Sequence, residues 1–339
     1  MLRYLDVQTV ISLIRKTGVE KSLSLLADYL ADDFKRWNEF HKSPRAACHS
    51  PQGVIEVMPI ADGQFYSFKY VNGHPGNTAK HLPTVMAFGV LAETETGVPI
   101  LLSEMTLLTG LRTASTSALI AKHLARRNSK RMAIIGCGAQ SEFQILAFKA
   151  VMGITDVVAF DLDAKAIEKL QRNLAGTGVT IKAASSAREA VKGADIVTTI
   201  TAAKAKQAVL TPDMVEPGMH INGVGGDCPG KTELHPDVLR NARVVVEYEP
   251  QTRIEGDIQQ MTGNFKVTEF WKIITGAEQG RSDDQQITVF DSVGFAIEDF
   301  SALRMMNDLA KAADAGTALD LIPDLADPKD LFALLTKGA

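Results

Sequence analysis

The sequence predicts an α/β protein: a doubly wound parallel-sheet domain joined to an α+β domain with an antiparallel sheet. Three observations predict it. Residues 131–161 run as RMAIIG, then Gly136-Cys137-Gly138-Ala139-Gln140-Ser141, a helical stretch, a second apolar run and Asp161. From 131 to about 247, apolar strands alternate with amphipathic helices, the texture of a parallel sheet covered on both faces. From Pro44 to about residue 105, short alternating runs are broken by Gly, Pro, Asn and Asp, as in antiparallel hairpins.

In chain order, Asp6 is an expected N-cap, and residues 7–38 read as two helices separated near Gly18. The runs PRAACHS, GVIEVMPIAD, QFYSFKYVN, HLPTVMAFGVLAETETG and VPILLSEMT follow, with hairpin turns expected at Asp62-Gly63 and Thr96-Gly97. A helix over 112–127 leads into the parallel-sheet domain. Its strands are MAIIG, DVVAF, VTIKA, DIVTTI, HINGVG and RVVVE, with helices near 140–152, 163–175, 186–192 and 235–240. A less regular stretch, 251–285, precedes the strand ITVFD and a long helix from about 294. Asp291 and Ser292 read as the strand end and the cap of that helix, and DPKDLFALLTKG reads as a closing helix. The chain therefore divides into residues 1–125 with 305–339, and 126–304.

Composition narrows the function. The 339 residues have room for two domains. A net charge of −4 lacks the basic surplus of a general nucleic-acid binder. No apolar run approaches the roughly 18 residues of a membrane span, and the N-terminus is no secretory signal. Three cysteines and seven scattered histidines show neither disulfide nor metal spacing, so no metal is expected and a reducing cytoplasm fits.

The 131–161 pattern is the phosphate-binding half of a dinucleotide site, which makes the parallel domain Rossmann-type. Gly136 and Gly138 allow a tight turn and close approach of a pyrophosphate, whose charge sits at the following helix N-terminus. Asp161 falls where an acid bonds a ribose 2′-hydroxyl, and a carboxylate there favours NAD over NADP. Ligands bind at the carboxyl ends of such strands, which singles out Thr201, then Asp227 after Gly225-Gly226, then Val293 and Gly294. The two glycines before Asp227 are expected to let the backbone approach a flat ring. Arg45, Lys69 and Arg112 are isolated cations within or beside apolar runs, and Glu56 is an isolated acid inside VIEVMPI.

At these residues the sequence resembles the ornithine cyclodeaminase/mu-crystallin family. The stretches that carry the resemblance are VIEVMPIADGQFYSFKYVNGHPGN, LLTGLRTASTSALIAKHLAR, GCGAQSEFQ, INGVGGDCPGKTEL and VFDSVGFAIEDF, spread across nearly the whole chain. The SEF after GCGAQ and the run DCPGKTEL are similar to its cyclodeaminase branch. The resemblance implies that L-ornithine is oxidised at Cα by hydride transfer to a bound NAD, closed by its δ-amine with loss of ammonia, and reduced back to L-proline. No net redox change results. It implies Arg45, Lys69 and Arg112 as carboxylate ligands, a task suited to guanidinium forks. Asp227 is implied as general base and amine ligand, and Glu56 as an acid that holds the amine or protonates departing ammonia. Thr84, Arg112, Ala139, Gln140, Asp161, Thr201, Gly223, Val224, Lys231 and Val293 match cofactor contacts, and Gly294 faces the substrate. Lys231 reads either as a phosphate ligand or as a residue ordering the loop after Asp227. The domain of residues 1–125 with 305–339 is implied to bind substrate and form a homodimer, and 126–304 to bind NAD.

Two other readings use the same fold: an NAD(P)-dependent amino- or imino-acid dehydrogenase or ketimine reductase, and a non-catalytic ligand carrier like the mu-crystallins. Retention of Glu56, Asp227 and all three cations favours a catalyst. One pocket methylene is worth roughly 1–3 kcal/mol of selectivity, so lysine stays beside ornithine as a substrate. Cys137 and Cys228 have no neighbouring histidine in the sequence and read as packing residues; His74, His81 and His235 read as structural.

Overall fold

A computed structural model describes residues 2–202 and 206–336. Strand β1 (Leu2–Leu5) leads to Asp6, whose carboxylate accepts the Thr9 amide at 2.8 Å and caps α1 (Val7–Thr17). Gly18, at φ +90°, separates α1 from α2 (Val19–Lys35). The antiparallel region comprises β2 (His41–Lys42), β3 (Ala46–Ser50), β4 (Gly53–Ala61), β5 (Phe65–Gly73), β6 (Val85–Glu93) and β7 (Pro99–Glu104). Its hairpin turns fall at Asp62-Gly63 and Thr96-Gly97 as expected, with Asp62 Oδ1 accepting the amides of Gln64 and Phe65. The helix expected from 112 begins earlier, as α3 (Thr106–Leu124), because Glu104 accepts the Leu107 amide and starts the first turn.

The parallel region follows as β8 (Arg131–Ile135), α4 (Ser141–Met152), β9 (Asp156–Phe160), α5 (Ala164–Asn173), β10 (Thr180–Ala183), α6 (Ala187–Val191) and β11 (Ile196–Thr199). Then come β12 (Lys206–Leu210), β13 (His220–Gly223), β14 (Thr232–Leu234), α7 (Pro236–Arg240) and β15 (Arg243–Val246). The stretch expected to be irregular holds α8 (Glu249–Glu255), β16 (Thr268–Glu269) and α9 (Phe270–Ile274) before β17 (Thr288–Asp291). The chain ends in α10 (Ala296–Ala313), β18 (Thr317–Leu319) and α11 (Ala333–Thr336). The expected closing helix is thus a single turn; Leu331, Phe332, Leu334 and Leu335 on it or beside it are exposed, so no apolar face is buried to extend it.

Eight parallel strands form one sheet in the order β10-β9-β8-β11-β13-β17-β15-β16. The winding reverses between β8 and β11, so a crevice opens at their carboxyl ends, where doubly wound sheets bind ligands. The other large sheet runs β18-β1-β7-β6-β5-β4-β2, with β3 also on β4, and α10 lies across β4, β5 and β6. The boundary expected at 304 therefore falls inside one continuous helix.

Strand alternation in this sheet decides which side chains face α10. The register pairs Met58 with Lys69 and Glu56 with Val71, and these four are buried. Their neighbours Ile55, Val57, Tyr66, Met86 and Phe88 lie on the opposite face and are exposed.

The two layers meet through aromatic rings. Phe34 of α2 stacks on Trp37 at 5.9 Å and meets Phe270 of α9 edge-on at 5.1 Å, while Trp37 lies 5.7 Å from Phe295. Phe34→Ala is expected to cost about 3–5 kcal/mol, the usual loss for a buried Phe. Urea denaturation measures it; a loss under about 1 kcal/mol would remove this role.

Candidate active site

The nucleotide end is built from the turn after β8. Gly136 has φ +101°, and a Cβ there would sit 2.6 Å from the Ile200 carbonyl oxygen, so glycine is required. Gly138 has open space where a side chain would project. The Cys137 amide donates to Asp161 Oδ2 at 2.6 Å, tying the acid at the end of β9 to the glycine turn. Gln140 stands at the cap of α4 without making a capping bond, and its buried Oε1 has no partner. Ala139 is exposed beside it. A tight glycine turn, an uncapped helix start and an acid fixed on the neighbouring strand fit a dinucleotide. Among the described residues, no cluster of His, Cys, Asp and Glu could hold a metal.

The ends of β11, β13 and β17 are stitched together. The amides of Val224 and Gly225 donate to the Thr199 carbonyl, and the Ser292 amide donates to that of Gly223. Thr201 donates its amide to buried Glu233 at 2.8 Å, and its hydroxyl bonds the same oxygen. A Cβ on Gly225 would collide with the Glu233 carboxyl, and one on Gly226 would lie 2.8 Å from Asp257 Oδ2. The space that the missing side chains of these two glycines leave is taken by the protein's own buried acids, Glu233 and Asp257. Asp227, next in sequence, is 52% exposed and pairs with Lys231 at 3.1 Å. Burial lowers the Lys231 ammonium most, but the charge and hydrogen bond of Asp227 together with Glu233 and Cys228 outweigh it, and the net shift is upward.

Two of the three isolated cations, Arg45 and Arg112, converge on Gly294. Arg45 Nη2 donates to the carbonyls of Val293 and Gly294 at 2.7 Å each, and Nη1 donates to Glu56 at 3.0 Å. Arg45 Nε lies 3.1 Å from Glu255. Gly294 has φ +75°, and a Cβ there would strike the Arg112 guanidinium. Arg112 pairs with Glu298, and its Nε lies 3.2 Å from Asp299. Lys69, fully buried, donates to Asp299 at 2.7 Å. Burial and then the Arg112 charge push the Lys69 ammonium down to about 8, against the pull of Asp299.

Buried acids underlie this cluster. Glu247 Oε1 accepts the Gly294 amide at 3.1 Å and the Ser292 hydroxyl at 3.0 Å. Burial, then repulsion from Glu298, pushes Glu247 up to about 8. Asp291 accepts the amides of Asp257 and Ile258 at 2.8 Å each. Asp291 and Ser292 therefore anchor neighbouring loops; Phe295 occupies the cap position of α10, its amide donating to Glu298. A serine directly after the strand predicts a cap at Ser292, but the helix starts farther on, at Ala296.

Arg45, Glu56, Arg112, Val293 and Gly294 thus meet directly, and Lys69 joins through Asp299. Asp227 and Lys231 form their own pair, close enough for the Asp227 charge to act on Arg45. Thr84 stands apart in the loop before β6, its carbonyl accepting the His74 amide. Cys137 is buried, and burial together with Asp161 pushes its thiol up to about 12; burial also raises the Cys228 thiol. Neither is an activated nucleophile. His74 bonds Asn72, and His235 accepts the Asp237 amide.

Sequence reasoning missed Gln251, Glu233, Glu247, Glu255, Asp257, Glu298 and Asp299. Glu298 and Asp299 carried a usable signal, two acids in the first turn of a helix that opens two residues after Gly294. First-turn acids also serve the helix dipole, which masked it.

A glycine turn with its acid, beside a buried cluster of cations and carboxyls, defines a dinucleotide-binding protein for a small charged substrate. The chain belongs to the ornithine cyclodeaminase/mu-crystallin family, whose model matches residues 7–314. It is 56% identical over 334 residues to the ornithine cyclodeaminase of Brucella suis biovar 1 (strain 1330), covering 98% of this chain and 93% of that protein. Among solved structures, a lysine cyclodeaminase described in recognition of L-lysine, L-ornithine and L-2,4-diaminobutyric acid superposes with TM-score 0.92. It is 30% identical, covering 98% of this chain and 99% of that one. An archaeal alanine dehydrogenase dimer with bound NAD superposes with TM-score 0.87 at 32% identity, covering 95% and 99%.

Glu247 generates a pH prediction. Its folded pKa lies above the unfolded value, so its proton favours folding less and less as pH rises from about 4.5 through about 8. Glu247→Gln removes that loss. The variant is expected to gain stability relative to the parent between pH 5 and 8, measured by thermal unfolding; a pH-independent difference would contradict it.

Proposed function

We propose that the chain is an NAD-dependent ornithine cyclodeaminase, an ammonia-lyase that converts L-ornithine to L-proline and ammonia. The observation that carries this reading is the meeting of Arg45, Arg112, Glu56 and Gly294 beside the ends of β13 and β17. When bound, NAD supplies a hydride acceptor that returns the same hydride, so no reductant is consumed.

The protein's own residues supply the rest. Arg45 and Arg112 bind the substrate carboxylate, and Lys69 backs them through Asp299. Gly294, lacking a side chain, leaves room for the Arg112 guanidinium to lie against its backbone beside Val293, facing the substrate. Asp227, the solvent-facing acid of the group, takes a proton from the substrate ammonium and holds the δ-amine. Glu56, held by Arg45, holds the amine or protonates the departing ammonia. Gly136, Gly138, Ala139, Gln140, Asp161, Thr201, Gly223, Val224 and Thr84 line the cofactor's path, and Lys231 orders the Asp227 loop. The dinucleotide-binding domain spans residues 126 to about 295, and α10 returns the chain to the substrate-binding domain that begins with residues 1–125.

The same reading makes the protein a cytoplasmic homodimer in ornithine degradation and proline formation. Three free cysteines support the location, and among the described residues no helix is long and apolar enough to cross a membrane. The exposed apolar face of Ile55, Val57, Tyr66, Met86 and Phe88, where Tyr70 stacks on Phe88 at 5.0 Å, supports dimerisation through the antiparallel sheet.

Single-turnover spectroscopy of the NAD-loaded protein with ornithine tests the reading. A nicotinamide absorbance that rises and decays, with proline and ammonia formed one to one, is expected; NADH accumulating with product would indicate a dehydrogenase. Asp227→Asn is expected to lower turnover by at least about a hundredfold, the low end for a general base, with NAD still bound. An active Asn variant would remove that role.

A further inference from the structure

Arg45 is shared by more acids than it can neutralise. Glu56 takes its Nη1 at 3.0 Å and Glu255 lies 3.1 Å from its Nε, with Arg45 and Glu255 side chains only 7% and 6% exposed. Asp227 acts on Arg45 and Glu255 alike, yet its direct partner is Lys231. Three acids, Glu56 and Glu255 buried and Asp227 half-exposed, thus face two cations, Arg45 and Lys231. Burial, opposed by Arg45 and reinforced by Glu56 and Asp227, pushes Glu255 up to about 7. Its buried Oε2 makes no well-directed hydrogen bond.

The position of Glu255 is fixed relative to the carboxylate clamp. It ends α8, and one turn earlier Gln251 accepts the Arg45 amide at 3.2 Å and donates to the Gly294 carbonyl at 2.7 Å. The charged and titratable groups facing it are Arg45 and Glu56 from the antiparallel sheet side, and Asp227 and Cys228 from the loop after β13.

We propose that Glu255 is a specificity-determining residue: the unmatched acid that the substrate's side-chain ammonium neutralises, giving up its own proton to solvent as that ammonium enters. This rests on the ornithine reading above and narrows it to substrates with a cationic side chain. An apolar side chain of equal length leaves the acid to keep its proton.

The test compares ornithine as substrate with L-norvaline, which lacks the δ-amine, as competitive inhibitor of the NAD-loaded enzyme. Ornithine KM is expected to fall as pH rises from 6 to 8 while norvaline Ki stays level. In Glu255→Gln that pH dependence disappears and ornithine KM at pH 8 rises at least about tenfold, as when one partner of a buried charge pair is truncated. Norvaline Ki is expected to change less than about twofold, within the range of a substitution that leaves the remaining contacts intact. Equal weakening of both ligands would mark a structural role through Arg45 and overturn the proposal, as would an unchanged ornithine KM. Should the variant fail to fold, the parent enzyme decides, since parallel pH curves for the two ligands overturn it. Absence of ornithine turnover by the parent enzyme would instead overturn the ornithine reading, and this inference with it.

Discussion

Everything at the substrate end is referenced to the backbone of Gly294. Arg45 and Gln251 both donate to its carbonyl, Glu247 accepts its amide, and Arg112 fills the place where its side chain would be. These partners come from four separate stretches, so one residue aligns the antiparallel sheet, α3, α8 and β15 with the end of β17. Buried ion pairs add little net stability over apolar packing, but removing one partner costs several kcal/mol. The Arg45, Arg112 and Lys69 pairs therefore fix geometry more than they hold the fold together. The aromatic contacts of Phe34 and Trp37 do more of the latter.

Much of this was legible in the sequence because local chemistry and long-range placement agree there. The glycine turn, Asp161 and the strand–helix alternation depend on neighbours within a few dozen residues, and each falls where expected. Arg45, Lys69, Arg112 and Glu56 stood out as charges in apolar runs, and all four are buried. Glu255 escaped because α8 lies in a stretch whose order comes from packing against distant elements rather than from periodicity. Glu247 escaped for a related reason: an acid at a strand end looks the same whether it faces water or a neighbouring amide. The packing of Glu233 and Asp257 against Gly225 and Gly226 was not legible, because a sequence shows that a glycine is present, not what occupies the space beside it.

Helix α10 does two tasks at once. Its apolar surface covers β4, β5 and β6, and its first turn supplies Glu298 and Asp299 to the cations. Neither β5 nor α3 can slide along α10 without breaking those pairs. The loop after β13 is tethered separately, by Lys231 pairing with the half-exposed Asp227.

The β4–β5 hairpin is committed on both sides. Glu56 and Lys69 point toward α10, while Ile55, Val57 and Tyr66 in alternate positions form the outer apolar face. Adding or deleting one strand residue would exchange the two sets, placing charge on the outside and grease under the helix. Insertions and deletions in this family should accordingly gather at the Asp62-Gly63 bend and spare the strands, a pattern that drift at single positions would not produce.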